Sequence, residues 1–282
     1  MMTKKVNRSG AGNVLTILFL VIVACFMVLP MVYAVGNSFK PMDELFKFPP
    51  TLFPQRPVTT NYTDLFVLMG NSWVPFSKYL FNTLFITSIG TFGQIVFCSM
   101  CAYPLSLYQF PGRKFISGLI VTALMFNGTV LWIPLFMIKA RLGMIDTYWA
   151  IIIPTFGNSM GMYLMQQFMS QIPRSLIEAA RIDGAGSFKI FWSIVLPQVK
   201  SAWLTLMIFS VQTLWNLGAS VFIQSENLKT LPYALTQIVS TGIARHGVSN
   251  AVTVILMIVP IVLFIISQSN IIETMATSGM KD

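Results

Sequence analysis

The stretch Glu178-Ala179-Ala180-Arg181-Ile182-Asp183-Gly184-Ala185, followed at short intervals by Phe191, Ile194, Leu196 and Pro197, decides how this chain folds. It lies between two runs apolar enough to span a bilayer, yet it opens polar and turns greasy on one face. Pro173 blocks continuation of the run before it. Ser175-Leu176-Ile177-Glu178 has the spacing of a capping box, in which Ser175 caps a short helix and Glu178 bonds back. Asp183-Gly184 ends that helix, because glycine takes positive φ without a Cβ penalty. A second run, Phe188–Val195, sets Phe188, Phe191, Trp192 and Val195 at helical spacing, and Leu196-Pro197 stops it. The expected unit is two short helices at an angle, suited to a socket in another protein. Periodicity alone leaves a second reading open, an amphipathic helix resting on the lipid interface.

Working outward, the rest of the chain is membrane-like. Hydrophobic residues make up 55 % of its 282 residues and charged ones 10 %, against the ~25 % charged of soluble domains. Six apolar runs can be marked: Val14–Gly36, Tyr79–Met100, Ile116–Ile138, Thr147–Met169, Trp203–Ile223 and Val248–Asn270. A run of ~20 such residues is what a hydrocarbon core demands. None holds Asp, Glu, Lys, Arg or His, as expected when a charge at the bilayer centre costs roughly 2.5–3.5 kcal/mol. The first run follows Lys4, Lys5 and Arg8 and carries a small-residue site at Val32-Tyr33-Ala34, which admits a signal peptide. It exceeds the ~7–15 residues of a signal core, so a retained span is expected.

The net charge of +9 reads as topology rather than as a nucleic-acid surface. With the N-terminus inside, ten Lys or Arg fall on inner segments and eight on outer ones, four of those eight on or beside the long first connection. The short connections favour the inside more clearly. The chain divides into a tail over 1–13, the first span and outer loop over 14–77, a core over 78–270 that includes the loop 171–201, and a tail over 271–282. Six prolines between Asn37 and Lys78 predict an irregular outer cap without regular helix. The sequon Asn61-Tyr62-Thr63 carries little weight. Pro111-Gly112 forces an inner turn held by Arg113 and Lys114. At the next turn Gly143 suits a helix C-cap and Asp146 an N-cap. Pro30, Pro134, Pro154 and Pro260 lie within spans, as ordinary kinks or as bends around a cavity. Cys98 and Cys101 form C-x-x-C in an apolar helix, where free cysteine behaves as a small hydrophobe. His246 has no metal partner nearby and reads as an outer-loop residue. No G-x-x-x-x-G-K-[ST] occurs, so ATP is expected on another subunit.

A substrate path needs polar or aromatic groups at depth. Asn127, Asn158 and Asn216 supply amides, Trp132 and Trp215 supply aromatic faces, and Gln94 and Gln212 are further amides. Amides bond hydroxyls and aromatic faces stack on sugar rings. Each could equally be helix–helix glue, worth ~0.6–2 kcal/mol per contact. The absence of ionisable groups within the runs argues against a proton relay and suits a neutral, hydroxyl-rich solute.

Glu178-Ala179-Ala180, Asp183-Gly184-Ala185, Phe191, Ile194 and Leu196-Pro197 at these spacings resemble the EAA signature of binding-protein-dependent ABC importers. The likeness covers nearly the whole chain in the form of the MalG-type permease subunit of carbohydrate importers. Asn82-Thr83-Leu84, Ala102-Tyr103, Leu142 to Thr147, Trp215-Asn216, Thr230-Leu231, Ala251, Pro260, Gln268 and the tail Ser278-Gly279-Met280-Lys281 also fit. Leu217, Ser201 and Ile272-Glu273-Thr274-Met275 depart from the family pattern.

The resemblance implies an all-α integral membrane protein of six transmembrane helices with the ABC type I importer permease (MetI-like) fold. It implies that Glu178, Ala179, Ala180, Asp183, Gly184, Ala185, Phe188, Phe191, Leu196 and Pro197 couple the chain to an ATPase, which holds the ATP and Mg. Expected partners are a second homologous permease, two ATPase subunits, an extracytoplasmic sugar-binding protein and the bilayer, without nucleic acid. The chain itself is expected to bind no cofactor or metal and to catalyse nothing. Its place would be the bacterial cytoplasmic membrane, multi-pass, with both termini cytoplasmic. Two rivals stand beside this reading: a permease for amino acids or polyamines, and an ATP-independent channel or transporter. The latter would call for ionisable groups in spans or repeat-related broken helices.

Overall fold

The computed structural model describes residues 10–70, 73–126, 128–218, 220–239 and 245–278. Among them the regular structure is helical throughout: α1 (Gly10–Ser38), α2 (Met42–Leu45), α3 (Thr60–Gly70), α4 (Phe76–Leu107), α5 (Arg113–Met125), α6 (Trp132–Arg141), α7 (Trp149–Phe156), α8 (Ser159–Met169), α9 (Arg174–Ile182), α10 (Ser187–Ile190), a π turn (Phe191–Val195), α11 (Leu196–Gln198), α12 (Lys200–Trp215), α13 (Leu231–Val239) and α14 (His246–Ser278). Two compact units emerge, Met1–Asn71 with Gln237–Ile255, and Ser72–Thr236 with Leu256–Asp282.

In the first unit α1 is apolar and exposed along nearly its whole length, as a helix bathed in lipid must be. The loop after it is tied by buried polar groups. Lys40 Nζ donates to Asn37 Oδ1 at 2.7 Å and to the Thr51 carbonyl, and stands over the Tyr33 ring. Glu44 accepts from the Gln55 and Arg56 amides at 2.9 and 3.1 Å. The expectation of no helix here fails over the single turn α2 and over α3, because Pro41 to Pro49 and Pro57 to Pro75 leave proline-free intervals, the second long enough for three turns. Asn61 is buried, and its Nδ2 donates to the Ser38 and Lys40 carbonyls, both at 2.9 Å, so it is no glycan acceptor. His246 begins α14 rather than sitting in a loop, with its ring edge-on to Phe46.

In the second unit α4 is the central post, packed by α7, α8 and α12. Close approach is possible because glycines face the contacts. A Cβ on Gly93 would meet Phe156 Cε1 at 2.0 Å, and one on Gly161 would meet Cys98 Sγ and Leu206 Cδ1 at 2.9 Å. Ser210 of α12 lies 2.7 Å from Gln94 Oε1 and 3.0 Å from Thr91 Oγ1, a buried polar bond across two helices. Gln94 thus acts as glue. Cys98 and Cys101 are both free thiols.

Three of the apolar runs are not single helices. The third breaks after Met125 into a 3₁₀ turn, Gly128–Leu131, before α6. The fourth breaks at Gly157, where Pro154 interrupts the helical ladder and its carbonyl accepts the Gly157 amide at 3.3 Å. The fifth ends at Trp215, leaving Leu217 to Ile223 irregular. Among the described residues three helices are long and apolar enough to cross a membrane alone, Gly12–Ser38, Phe76–Leu107 and His246–Gln268. The bent pair Ser187–Gln198 and Lys200–Trp215 makes a fourth if counted as one span.

Asp146 does not cap α7, which follows Tyr148. It stands at φ 60°, and its carboxylate accepts from the Gln224 and Ser225 amides at 3.0 and 2.8 Å and from the Ser225 hydroxyl. From α4, Asn82 Nδ2 donates to the Asn227 and Lys229 carbonyls, both at 2.8 Å, and Tyr79 donates to Glu226 at 2.9 Å. The loop before α13 is therefore held by side chains rather than by its own ladder. Gly143 takes the C-cap role expected of it, at φ 65°.

Candidate functional site

The hairpin 171–201 is built in three steps. First, α9 turns Ile177 and Ala180 into the core beside Ile172, Met169 and Ile190, and leaves Glu178, Arg181 and Asp183 outside. Its start differs from expectation. Pro173 occupies the N-cap position and Ser175 lies within the first turn, with no side-chain cap bond. The proline, a little earlier in the chain, sets the extended backbone that the serine was expected to provide.

Second, the helix closes with a Schellman motif. The Ala185 amide donates to the Ala180 carbonyl at 2.9 Å and the Gly184 amide to the Arg181 carbonyl at 3.0 Å. This requires the left-handed conformation at Gly184, which stands at φ 80°. Ala185 packs on the same core as Ala180, supplying the apolar contact that goes with the motif. Residues of the Glu-Ala-Ala…Asp-Gly-Ala pattern thus act locally: Ala179 accepts the Asp183 amide, Ala180 accepts and packs, and Gly184 turns.

Third, the returning arm starts as α10 and widens into the π turn. The Leu196 amide bonds back five residues to the Phe191 carbonyl, and Pro197, with no amide to give, follows directly. The wider turn brings Ile190, Phe191, Val195 and Val199 into the core, while Phe188 and Trp192 stay outside. The four residues expected on one face are divided between two. The arm does not stop at Pro197; it breaks at Val199 and bends by 78° into α12.

The hairpin is fastened to the end of α4. Tyr108 Oη donates to Ser187 Oγ at 3.3 Å and lies 3.1 Å from Tyr103 Oη, and Tyr103 Oη donates to the Ser187 carbonyl at 3.5 Å. The Arg181 guanidinium sits 5.1 Å from the Tyr108 ring centroid, so both arms are held. Sequence reasoning missed this fastening; two tyrosines five apart at a helix end were the only signal. Among the charged residues that face outward stand two large apolar ones: Ile182 is 86 % exposed and Phe188 72 %.

Behind the returning arm lies a cavity of about 530 Å³ between α4, the π turn, α12 and α14. Trp192, Trp203 and Trp215 line it together with Thr87 and Thr91. Trp215 Nε1 donates to the Leu256 carbonyl at 3.0 Å, which fixes its ring in the wall. Thr87 Oγ1 is the one buried side-chain polar atom without a hydrogen-bond partner among the described residues. The spacing of Thr83, Thr87 and Thr91 on one face of α4 could have pointed to it.

Of the described residues expected on a substrate path, Trp215 alone lines this cavity. Asn158 is exposed and caps α8, accepting the Gly161 amide at 2.7 Å. Asn216 caps the end of α12 and donates to the Gln212 carbonyl at 2.8 Å. Trp132 stacks on Phe222 at 5.7 Å. Asn127 lies outside the described residues, as do Gly279, Met280 and Lys281 of the tail.

An all-helical core around one long post, with a fastened polar hairpin between membrane helices, defines a MetI-like permease fold. The crystal structure of a bacterial ABC transporter involved in the import of the acidic polysaccharide alginate has this fold, with a TM-score of 0.78 over 93 % of this chain and 98 % of that chain, at 24 % identity. Residues 94–276 match the binding-protein-dependent transport system inner membrane component family, and the chain belongs to that family. It is 29 % identical over 263 residues to the arabinooligosaccharides transport system permease protein AraQ of Halalkalibacterium halodurans, covering 92 % of this chain and 93 % of that one. It is 32 % identical over 231 residues to the polygalacturonan/rhamnogalacturonan transport system permease protein YtcP of Bacillus subtilis, covering 81 % of this chain and 78 % of that one.

Proposed function

We propose that this chain is the transmembrane permease subunit of an ATP-driven carbohydrate importer, receiving an oligosaccharide from an extracytoplasmic binding protein and passing it inward by alternating access. One observation carries the reading: a polar hairpin, fastened by Tyr103 and Tyr108, holds Ile182 and Phe188 largely exposed among the described residues. A rigid element with an apolar tip and a flanking Glu178 suits a cleft on an ATPase, which binds ATP and Mg in this chain's stead. Closure of two such ATPases would push the hairpin on this chain and on a second permease. Glu178, Ala179, Ala180, Asp183, Gly184, Ala185, Phe188, Phe191, Leu196 and Pro197 form or support that contact. Both termini lie in the cytoplasm on this reading. The names of the relatives favour saccharides over amino acids or polyamines. The three tryptophans and the Thr87 hydroxyl in the cavity suit the apolar faces and hydroxyls of a sugar.

The test is uptake of labelled oligosaccharides by a strain lacking only this chain. Uptake should vanish and return with the wild-type gene. A cysteine replacing Ile182 should crosslink to a nucleotide-hydrolysing subunit. Unchanged uptake of every oligosaccharide, or crosslinks to lipid alone, would overturn the proposal.

A further inference from the structure

We propose that Arg113 and Arg174 form a binding site for the phosphate of an anionic phospholipid headgroup. With its amide turned so that the oxygen faces them, Gln109 accepts from Arg113 Nη1 at 3.1 Å and from Arg174 Nη2 at 3.2 Å. Two guanidiniums thus meet on one neutral oxygen. Like charges so close repel unless an anion lies between or beside them. Arg174 has an alternative: Glu178 is four residues on along α9, the spacing at which a carboxylate and a guanidinium pair. It forgoes that partner. Among the described residues no carboxylate lies within 4.0 Å of either arginine, nor of the neighbouring Lys114; the ion pairs found are Arg56 with Asp43 and Glu44, and Lys229 with Glu226.

The donors are available and aimed. Arg113 is anchored, its Nε donating to the Leu105 carbonyl at 2.8 Å and its Nη2 to the Ser106 carbonyl at 3.2 Å, where they cap α4. Arg174 is exposed, and among the described residues its guanidinium hydrogen-bonds to Gln109 alone. Each guanidinium carries five N–H donors, so most of those on Arg174 remain for a ligand. A phosphate accepts from paired guanidiniums in the planar, forked geometry that lysine cannot offer. Apolar surface lies beside these donors. Arg113 and Lys114 open α5, and the next residues, Phe115 at 70 % exposure and Leu119 at 52 %, present bare apolar surface where acyl chains would lie. A phosphate group just beyond the chains meets the arginines. An acidic protein face would need no such apolar surface beside it.

The test is native mass spectrometry of the full-length chain, extracted with the subunits that accompany it, against phosphatidylglycerol, phosphatidylcholine of the same chains, and inorganic phosphate. The wild type should retain phosphatidylglycerol over phosphatidylcholine, and millimolar inorganic phosphate should not displace it. Arg174→Gln, which removes no helix cap, should weaken retention about 5-fold, and the Arg113→Gln/Arg174→Gln pair roughly 25-fold, as for two basic residues at an anionic surface. Equal retention of the two lipids, or an Arg174→Gln variant that matches wild type, would overturn the site. Ready displacement by inorganic phosphate would do so too. So would loss of a protein subunit in Arg174→Gln with phosphatidylglycerol retention unchanged, since the arginines would then serve an acidic protein face.

Discussion

Replacing Gly184 separates two explanations of the hairpin turn. The residue stands at φ 80°, and no atom lies within 4 Å of where a Cβ would be. Any penalty must therefore come from the backbone conformation and not from a clash. For an L-residue the left-handed region costs roughly 1–2 kcal/mol, more for a β-branched one, while asparagine enters it more readily. The Schellman bonds at the Gly184 and Ala185 amides should open more often by the same amount, so amide exchange there should quicken about 5-fold in Gly184→Ala and up to about 30-fold in Gly184→Val. Gly184→Asn should lie close to wild type. Hydrogen exchange in detergent or nanodiscs reads this directly, and uptake should fall in the same order while membrane insertion stays constant. If the glycine were instead kept small by contact with another subunit, asparagine would be worse than alanine in uptake and exchange would not distinguish them. That order would refute the conformational argument.

Four further outcomes follow from other sites. Gly93→Ala should lower Tm, since its Cβ would press on Phe156, whose ring is stacked on Phe97 at 4.9 Å; overpacking of this kind costs about 1–3 kcal/mol. Gly118→Ala, inside α5 with open space around it, should hold or raise Tm, since glycine within a helix costs roughly 0.5–1 kcal/mol relative to alanine. The Asp146 carboxyl is held below its usual value by the Ser225 hydroxyl and backbone amide. A depressed carboxyl contributes stability that is present above its unfolded pKa, about 3.9, and is lost as pH falls through the lower folded value. Exchange at the Gln224 and Ser225 amides should therefore quicken in that acid window, and Asp146→Asn should speed it already at neutral pH. Thr87→Val exchanges a buried hydroxyl without a partner for a methyl of like size, so Tm should hold or rise while KM for uptake increases.

Where the sequence can be read depends on whether the deciding interaction is local. The turn of the hairpin was legible because its parts are local: Pro173 ends one helix and Gly184 closes the next, whereas the expected Ser175 cap and the single face of Phe188, Phe191, Trp192 and Val195 do not form. The first, second and sixth runs, which became α1, α4 and α14, were legible because lipid demands length and apolarity alone. The broken runs were not. Pro154 and Gly157 interrupt an otherwise unbroken apolar stretch, and hydropathy does not see backbone ladders. Asp146 had the composition of a cap, yet its partners are Gln224 and Ser225, 78 and 79 residues away, a distance over which spacing carries no signal. The fastening of Ser187 by Tyr103 and Tyr108 escaped for the same reason.

The returning arm explains why a handle and a cavity wall need not be joined by a long relay. Phe188, exposed at the tip, and Trp192 and Leu196, in the cavity lining, lie within nine residues of one another on the same short stretch. Ile190, Phe191, Val195 and Val199 clamp that stretch into the core, so it can shift only as a piece. The π turn makes this possible, because at the ~100° per residue of a plain α-helix Val195 and Val199 would drift onto the stripe of Phe188 and Trp192. The extra residue in the turn separates the clamped side from the side that reaches the cavity. The break at Val199 then lets the arm tilt against α12 without unwinding it. On the proposed function, a push on Phe188 reaches Trp192 and Leu196 through a single turn of backbone. On that reading the cavity wall would move because it is the other end of the handle.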